Sequence, residues 1–195
     1  EIGLGIPAEP LFRSRSTVSI TGASNGTGSY TYSITSQVLS GQTTELTNFT
    51  ISGTTITVKA STPVGVYKVK VKAVDNGSAA EKEAEMTITV RYPKLTLNGN
   101  NGTVTQGTVY TKYGTANEYT QETGSTAATI GATRTGYTLS GWYTAASGGT
   151  KVLDASGNGT GTAVTNYTNA SKQWVMTADQ TLYAQWTINT YTVTY

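Results

Sequence analysis

Any acid–base chemistry in this chain would have to be done by carboxylates, because its 195 residues contain neither His nor Cys. Without Cys there is no thiolate nucleophile, disulfide or sulfur-ligated metal. Without His the commonest general base and the commonest transition-metal ligand are missing. Glycoside hydrolysis needs neither, only two carboxyl groups facing each other across the scissile bond. The second half offers Glu118, Glu122, Asp154 and Asp179, each in a polar stretch with no apolar pattern to bury it. A carboxyl left in water keeps its ordinary pKa and makes a poor general acid. No Gly-x-Ser-x-Gly, P-loop or zinc-type spacing occurs. GNGTG (157–161) has the composition of a phosphate-binding loop, but no hydrophobic strand leads into it and no helical pattern follows, so it reads as a turn. In the first half Asp75, Glu81, Glu83 and Glu85 are too sparse for a calcium site. We expect no catalytic residue, no cofactor and no metal.

Aromatic residues offer a different chemistry, stacking. GYTLSGWYTAASGGTKV (136–152) places one of only three Trp residues inside a glycine-rich cluster, and DASGNGTGTAVTNYTNASKQWVMTAD (154–179) carries Tyr167 and Trp174. Rigid aromatics on a loop are favoured contact residues. Tyr143, Tyr167 and Trp174 are therefore the candidate ligand contacts, as a platform for a glycan ring. The competing expectation is that QWVMT (173–177) forms an extra edge strand with Trp174 folded onto the domain.

The elements that would position these residues are strands. Gly (22) and Tyr (13) are plentiful, and Thr alternates with Val, Ile or Tyr, a composition suited to pleated, half-buried surfaces. Short alternating runs at 17–21, 30–35, 49–53, 55–59, 66–74 and 85–90 are separated by turn signals such as NGTG (25–28) and DNGS (75–78). Strands at roughly ten-residue spacing predict a β-sandwich. In VYKVKVKAV (66–74), Tyr67, Val69, Val71 and Ala73 share one face and Lys68, Lys70 and Lys72 the other, so the lysines are solvated and would discourage edge-to-edge pairing. An intramolecular Lys–Asn crosslink, which needs an inward lysine, is not expected. In RYPK (91–94), Pro93 breaks the ladder before LTL (95–97), which marks a short, semi-rigid junction. Further on, Tyr137, Leu139 and Trp142 alternate onto one side with Gly141 as a register-resetting bulge, while Leu182, Ala184 and Trp186 form a second set. Two strands each ending in a Trp predict rings packed together, every indole burying about 150–250 Å².

Two resemblances follow. FTISGTTITV (49–58), TPVGVYKVKVKAVDNG (62–77) and MTITV (86–90) resemble bacterial immunoglobulin-like or cadherin-like sandwich modules. GYTLSGWYTAASGGTKV followed by TLYAQW (181–186) is similar to the Listeria–Bacteroides repeat, also called the internalin B repeat, across residues 93–187. The residues that carry this likeness are Gly136, Tyr137, Gly141, Trp142, Tyr143, Gly148, Gly149, Leu182, Tyr183, Ala184 and Trp186. It implies a small β-grasp-like module with mainly structural aromatics, in surface proteins associated with adhesion and without enzyme activity. Leu139 stands where the family usually has Phe, and residues 154–179 form an insertion longer than the usual link. INTYTVTY (188–195) matches the start of a further repeat, which implies neighbouring repeats in a tandem array.

The expected architecture is all-β: residues 1–16 a linker or first edge strand, 17–92 an immunoglobulin-like sandwich, 93–187 a β-grasp-like repeat with its insertion, and 188–195 the start of another. Thirteen basic against eleven acidic residues, all scattered, provide no stripe for phosphates, so no nucleic acid partner is expected. No apolar run approaches the roughly 20 residues that span a bilayer, so no membrane insertion is expected. The chain opens at Glu1 with no basic-then-apolar leader, as expected once a secretion signal has been removed. Seven Asn-x-Ser/Thr triplets, from Asn25 to Asn169, are expected by chance in an Asn- and Thr-rich chain. The function expected is that of a non-catalytic structural or adhesive module on a bacterial cell surface, meeting a host or bacterial surface protein or glycan. The alternative is a glycan-binding module that uses the insertion aromatics.

Overall fold

The computed structural model describes residues 3–5, 10–12, 17–59, 62–122 and 129–194, the first two stretches by backbone alone. The rest of 1–16, and Tyr195, lie outside the described residues. No helix occurs among them, and none is therefore long and apolar enough to cross a membrane. The chain divides into two compact units, Glu1–Arg91 and Tyr92–Tyr195.

The first unit contains β1 (Gly3–Gly5), β2 (Pro10–Phe12), β3 (Thr17–Ser19), β4 (Thr21–Ser24), β5 (Tyr30–Leu39), β6 (Phe49–Ser52), β7 (Thr55–Val58), β8 (Gly65–Asp75) and β9 (Glu81–Arg91). A four-stranded sheet in the order β2-β9-β8-β5 faces a three-stranded sheet in the order β3-β7-β6. Val18, Phe49, Ile56 and Val58 from one sheet meet Tyr67, Val69, Val71, Met86, Ile88 and Val90 from the other in a single core. Period-two alternation accounts for this, since every second residue of β8 and β9 points inward. Phe49 and Tyr67 meet edge-to-face with centroids 5.2 Å apart, a geometry favoured by the ring quadrupoles.

Lys68 and Lys70 are exposed, as the alternation requires, but they guard no sheet edge, because β8 lies between β5 and β9. Instead Lys68 pairs with Glu85 at 2.9 Å and Lys72 with Glu81 at 3.1 Å across the β8–β9 hairpin. Glu81 and Glu85 are thus outward-facing partners of the lysine row, while Glu83 accepts from the Thr35 hydroxyl at 2.5 Å. Asp75 itself is 1% exposed. It accepts hydrogen bonds from the Thr27 hydroxyl and Thr27 N, from Gly77 N and from Ser78 Oγ. With donors on every side it locks the 25–28 loop to the 75–78 turn and has no lone pair directed at a cation. Among the described residues no acidic cluster could hold a metal ion.

The second unit contains β10 (Lys94–Asn98), β11 (Thr103–Val104), β12 (Thr108–Thr111), β13 (Tyr119–Thr120), β14 (Ala132–Thr133), β15 (Tyr137–Tyr143), β16 (Lys151–Leu153) and β17 (Gln180–Ile188). Six of these make a mixed sheet in the order β13-β12-β10-β17-β15-β16, and β10 runs parallel to β17 at its centre. β11 and β14 form a separate two-stranded ribbon. The bulge at Gly141 is present: the β15–β17 register shifts between Leu139 and Gly141. Gly141 has φ +142, and a Cβ there would lie 2.6 Å from the Leu153 carbonyl oxygen. Only glycine fits both constraints.

Candidate functional site

Of the three aromatic residues expected to contact a ligand, Tyr167 and Trp174 lie inside and Tyr143 is half-buried. Trp174 is 1% exposed and Tyr167 8%. Both belong to one core with Leu95, Leu97, Trp142, Leu153, Met176, Leu182 and Ala184. Residues 173–177 form isolated bridges, Ala116 to Gln173 and Thr168 to Trp174, and not the edge strand expected there. The segment is held instead by its own turns, among them Val164 N to Thr168 O at 2.7 Å and Val175 N to Tyr167 O at 2.9 Å. Tyr119 meets the Trp174 ring edge-to-face at 5.6 Å and donates its hydroxyl to the Gly157 carbonyl. Burial, with Asp154 nearby, pushes the Tyr119 hydroxyl well above its ordinary pKa. Tyr167 donates to Thr181 O at 3.0 Å, and burial, then Tyr183, raises its pKa too. A ring enclosed in this way has no face open to a sugar. The insertion is the layer that covers the sheet, not a platform.

The signature residues separate into core, turns and one open end. Trp142, Leu182 and Ala184 are fully buried. Tyr143 and Tyr183, both half-buried, oppose each other across β15 and β17. Gly136, Gly148 and Gly149 occupy turns with positive φ. Gln185 Nε2 donates to Ala145 O at 3.0 Å and to Gly148 O at 2.6 Å, fastening the 144–150 loop to β17. Trp186 is different. It continues the Leu182 and Ala184 row but lies where the covering layer has ended, and it remains half-buried. Its cross-strand partner is Leu139, whereas Trp142 pairs with Ala184. The core's ring-to-ring contact is Tyr119 with Trp174, and the expected packing of Trp142 on Trp186 is not what holds it.

Around Trp186 is a shallow cleft of about 800 Å³, lined by Asn101, Gly102, Thr103, Ala132, Thr133, Arg134, Thr135, Tyr137, Leu139 and Trp186. Three local devices shape it. The indole N–H donates to the carbonyls of Gly99 (3.0 Å) and Asn100 (3.1 Å), which fixes the ring plane. Gly102 packs so closely that a Cβ would lie 2.3 Å from Trp186 Cζ2. The β11–β14 ribbon supplies Thr103, Ala132 and Thr133 as one wall. On the other side the Arg134 guanidinium carbon sits 3.7 Å from the Tyr137 ring centroid, a cation–π geometry. Sequence reasoning assigned Tyr137 and Trp186 to the core and passed over Arg134. The available signal was the Arg-x-x-Tyr spacing before β15 and a Trp at the far end of an inward row.

The structure shows no two of the four candidate carboxylates in contact, each having its own surroundings. Glu118 and Glu122 are exposed. Asp179 accepts from Lys94 N at 2.7 Å. Asp154 caps its own loop, accepting from Ser156 N and Asn158 N at 2.9 Å each. Burial pushes the Asp154 carboxyl up, but the hydrogen bonds from Asn158 and Ser156 prevail and its pKa is lowered. A general acid needs the opposite shift.

The chain matches no protein-family model and no curated protein. Among solved structures, it is similar to a SusE-like, surface-located polysaccharide-binding protein from the Bacteroides thetaiotaomicron heparin utilisation locus, with 19% identity and a TM-score of 0.40 over 70% of this chain and 23% of that one. A structure of Dscam matches at 14% identity and TM-score 0.31, over 74% of this chain and 35% of that one. Drosophila N-cadherin EC1-4 matches at 13% and 0.32, over 79% and 38%. The chain thus spans well under half the length of each, and likenesses this distant assign no family.

Proposed function

We propose that this chain is a non-catalytic structural and adhesive module of a multidomain protein on a bacterial cell surface: an immunoglobulin-like sandwich followed by an internalin B-type repeat. One observation carries the reading. Apart from those at the Trp186 cleft, the aromatic and acidic side chains best suited to stacking or chemistry are committed to holding the fold. Trp142, Tyr167 and Trp174 converge in one core, while Asp75 and Asp154 pin loops through donors from their own turns. The bulge at Gly141 and the parallel pairing of the second unit's first and last main strands support the repeat assignment. Such a module would work outside the cell, present its surface to a protein or glycan partner, and stand in series with neighbouring repeats.

The test is retention without turnover. The chain is passed over immobilised polysaccharides and matrix proteins while reducing ends and new amino termini are assayed in the eluate. Adhesion predicts retention with no product. Product that disappears in Glu118→Gln, Glu122→Gln, Asp154→Asn or Asp179→Asn would overturn the non-catalytic reading.

A further inference from the structure

We infer that the cleft around Trp186 is a binding site for an acidic saccharide, a uronate-bearing oligosaccharide, with Arg134 as the carboxylate receptor and Trp186 as the ring platform. This goes beyond the adhesive reading by assigning a ligand class and the residues that take it.

Arg134 carries the inference. Among the described residues it has no carboxylate partner; its contact is the Tyr137 ring. The cation–π contact holds the guanidinium carbon over the ring without using its N–H groups, so a planar set of donors stands at the edge of an open cleft. A guanidinium held in this way is preorganised for bidentate binding of a carboxylate. It loses little side-chain entropy when the ligand arrives, because the tyrosine has already ordered it.

The rest of the cleft has the character of a sugar site. Trp186 is held by its two N–H contacts and remains half-buried, so the surface it contributes is a fixed aromatic one. A pyranose ring presents flat C–H faces to such a surface and hydroxyls at its rim. Asn101, Thr103, Thr133 and Thr135 supply amide and hydroxyl partners around the same opening. Concave sites with an apolar floor and a few convergent polar groups are the usual form of small-ligand sites. A peptide would need main-chain partners, and the ribbon strands beside the cleft are only two residues long each and already paired.

The experiment titrates the whole chain with a hexamer of galacturonic acid, with the neutral hexamer made from it by carboxyl reduction, and with polyglutamate of matched charge. Tryptophan emission and calorimetry are followed at low and high salt. The expected result is saturable binding of the uronate that weakens with salt, with the neutral hexamer about 10- to 100-fold weaker. Arg134→Gln should reduce uronate binding to the neutral level, and Arg134→Lys should fall between. Arg134 is half-buried and has no ion pair among the described residues, so both variants should melt close to the parent chain; Thr133→Glu, which sets a competing carboxylate on the ribbon wall of the cleft, gives a second way to block it. The inference is overturned if the uronate does not saturate, if the neutral hexamer binds equally well, if Arg134→Gln binds unchanged, or if polyglutamate binds as tightly as the uronate. Each of those outcomes would leave the retention test of the module untouched, so the two proposals fail separately.

Discussion

The two units build their cores by different means. In the first, long paired strands do almost everything: β8 and β9 pair in register from Gly65–Val90 to Val74–Glu81, and inward residues alternate without a break. In the second, a six-stranded sheet is covered by a segment with no continuous strand, and Val164, Tyr167, Trp174 and Met176 complete its core. A ladder satisfies its own backbone, so small branched side chains suffice to fill the space between two sheets. An irregular layer spends its backbone groups on local turns, which leaves fewer inward positions, and each must carry more volume. This accounts for the size of the residues at 167, 174 and 176.

The sharpest way to break this contrast is Trp174→Ala. If the insertion is a core layer, the substitution should cost the second unit about 3–5 kcal/mol in urea unfolding, as for other buried aromatics. A cost below about 0.5 kcal/mol would place Trp174 on the surface and remove the distinction. Trp174→Phe should be much milder, because the indole N–H is buried with no partner among the described residues and its loss frees no acceptor. Next in size is Gly141→Ala, which would push a Cβ against the Leu153 carbonyl and Lys151 Cε from a backbone that favours glycine. Strain of this kind costs on the order of 1–3 kcal/mol. Amide exchange along β15 and β16 should quicken while that of β8 and β9 stays unchanged.

The same contrast explains what could be read from sequence. The inward set Tyr67, Val69, Val71 and Ala73 was legible because a strand has one period and lysines marked the other face. Gly141 was legible because the alternation fails there and a glycine stands at the failure. That Trp174 folds onto the domain was one of the two readings of 173–177 and it holds; the edge strand meant to carry it and the burial of Tyr167 were not legible, because a segment organised by turns such as Val164–Thr168 has no period to follow. The Trp186 cleft was illegible for another reason. Leu182, Ala184 and Trp186 share one face in sequence, but where the covering layer stops along that face depends on partners far away in the chain. Arg134 becomes conspicuous only once Tyr137 is placed beneath it.

A smaller effect compares the two pinned carboxylates. In the first unit, hydrogen bonds from the Thr27 hydroxyl and then Thr27 N hold the Asp75 carboxyl far below its usual range. Its folded pKa lies below the unfolded value of about 3.9, so its stabilisation is complete above that value and is lost as pH falls through and below it. The melting temperature of the first unit should be level from about pH 7 to 5 and decline below about pH 4. Asp75→Asn keeps the shape and one acceptor, and should lower stability at neutral pH while flattening part of that decline. Glu45, lowered by Ser36 and Gln37 N, leaves a remainder. A variant with an unchanged acid limb would mean that the 25–28 loop is not locked by this carboxylate.

The least effect should come from the most regular feature in the chain, the lysine row of β8. Lys68 with Glu85 and Lys72 with Glu81 sit on the outer face of a central hairpin, their side chains 32% to 54% exposed. Ion pairs in water gain little, because solvent screens the attraction and two long side chains must be held still. A double-mutant cycle on Lys68→Ala and Glu85→Ala should give a coupling of about 0.2–1 kcal/mol at low salt, shrinking as salt is added. Because β8 is flanked by β5 and β9, neutralising the row should leave the state of association unchanged. If neutralising it caused association, the row would be guarding an exposed edge, and the strand order that places β8 inside the sheet would be wrong. The pattern that was easiest to read therefore contributes least to stability, since alternation reports which face meets water, and the stabilising contacts lie on the opposite face.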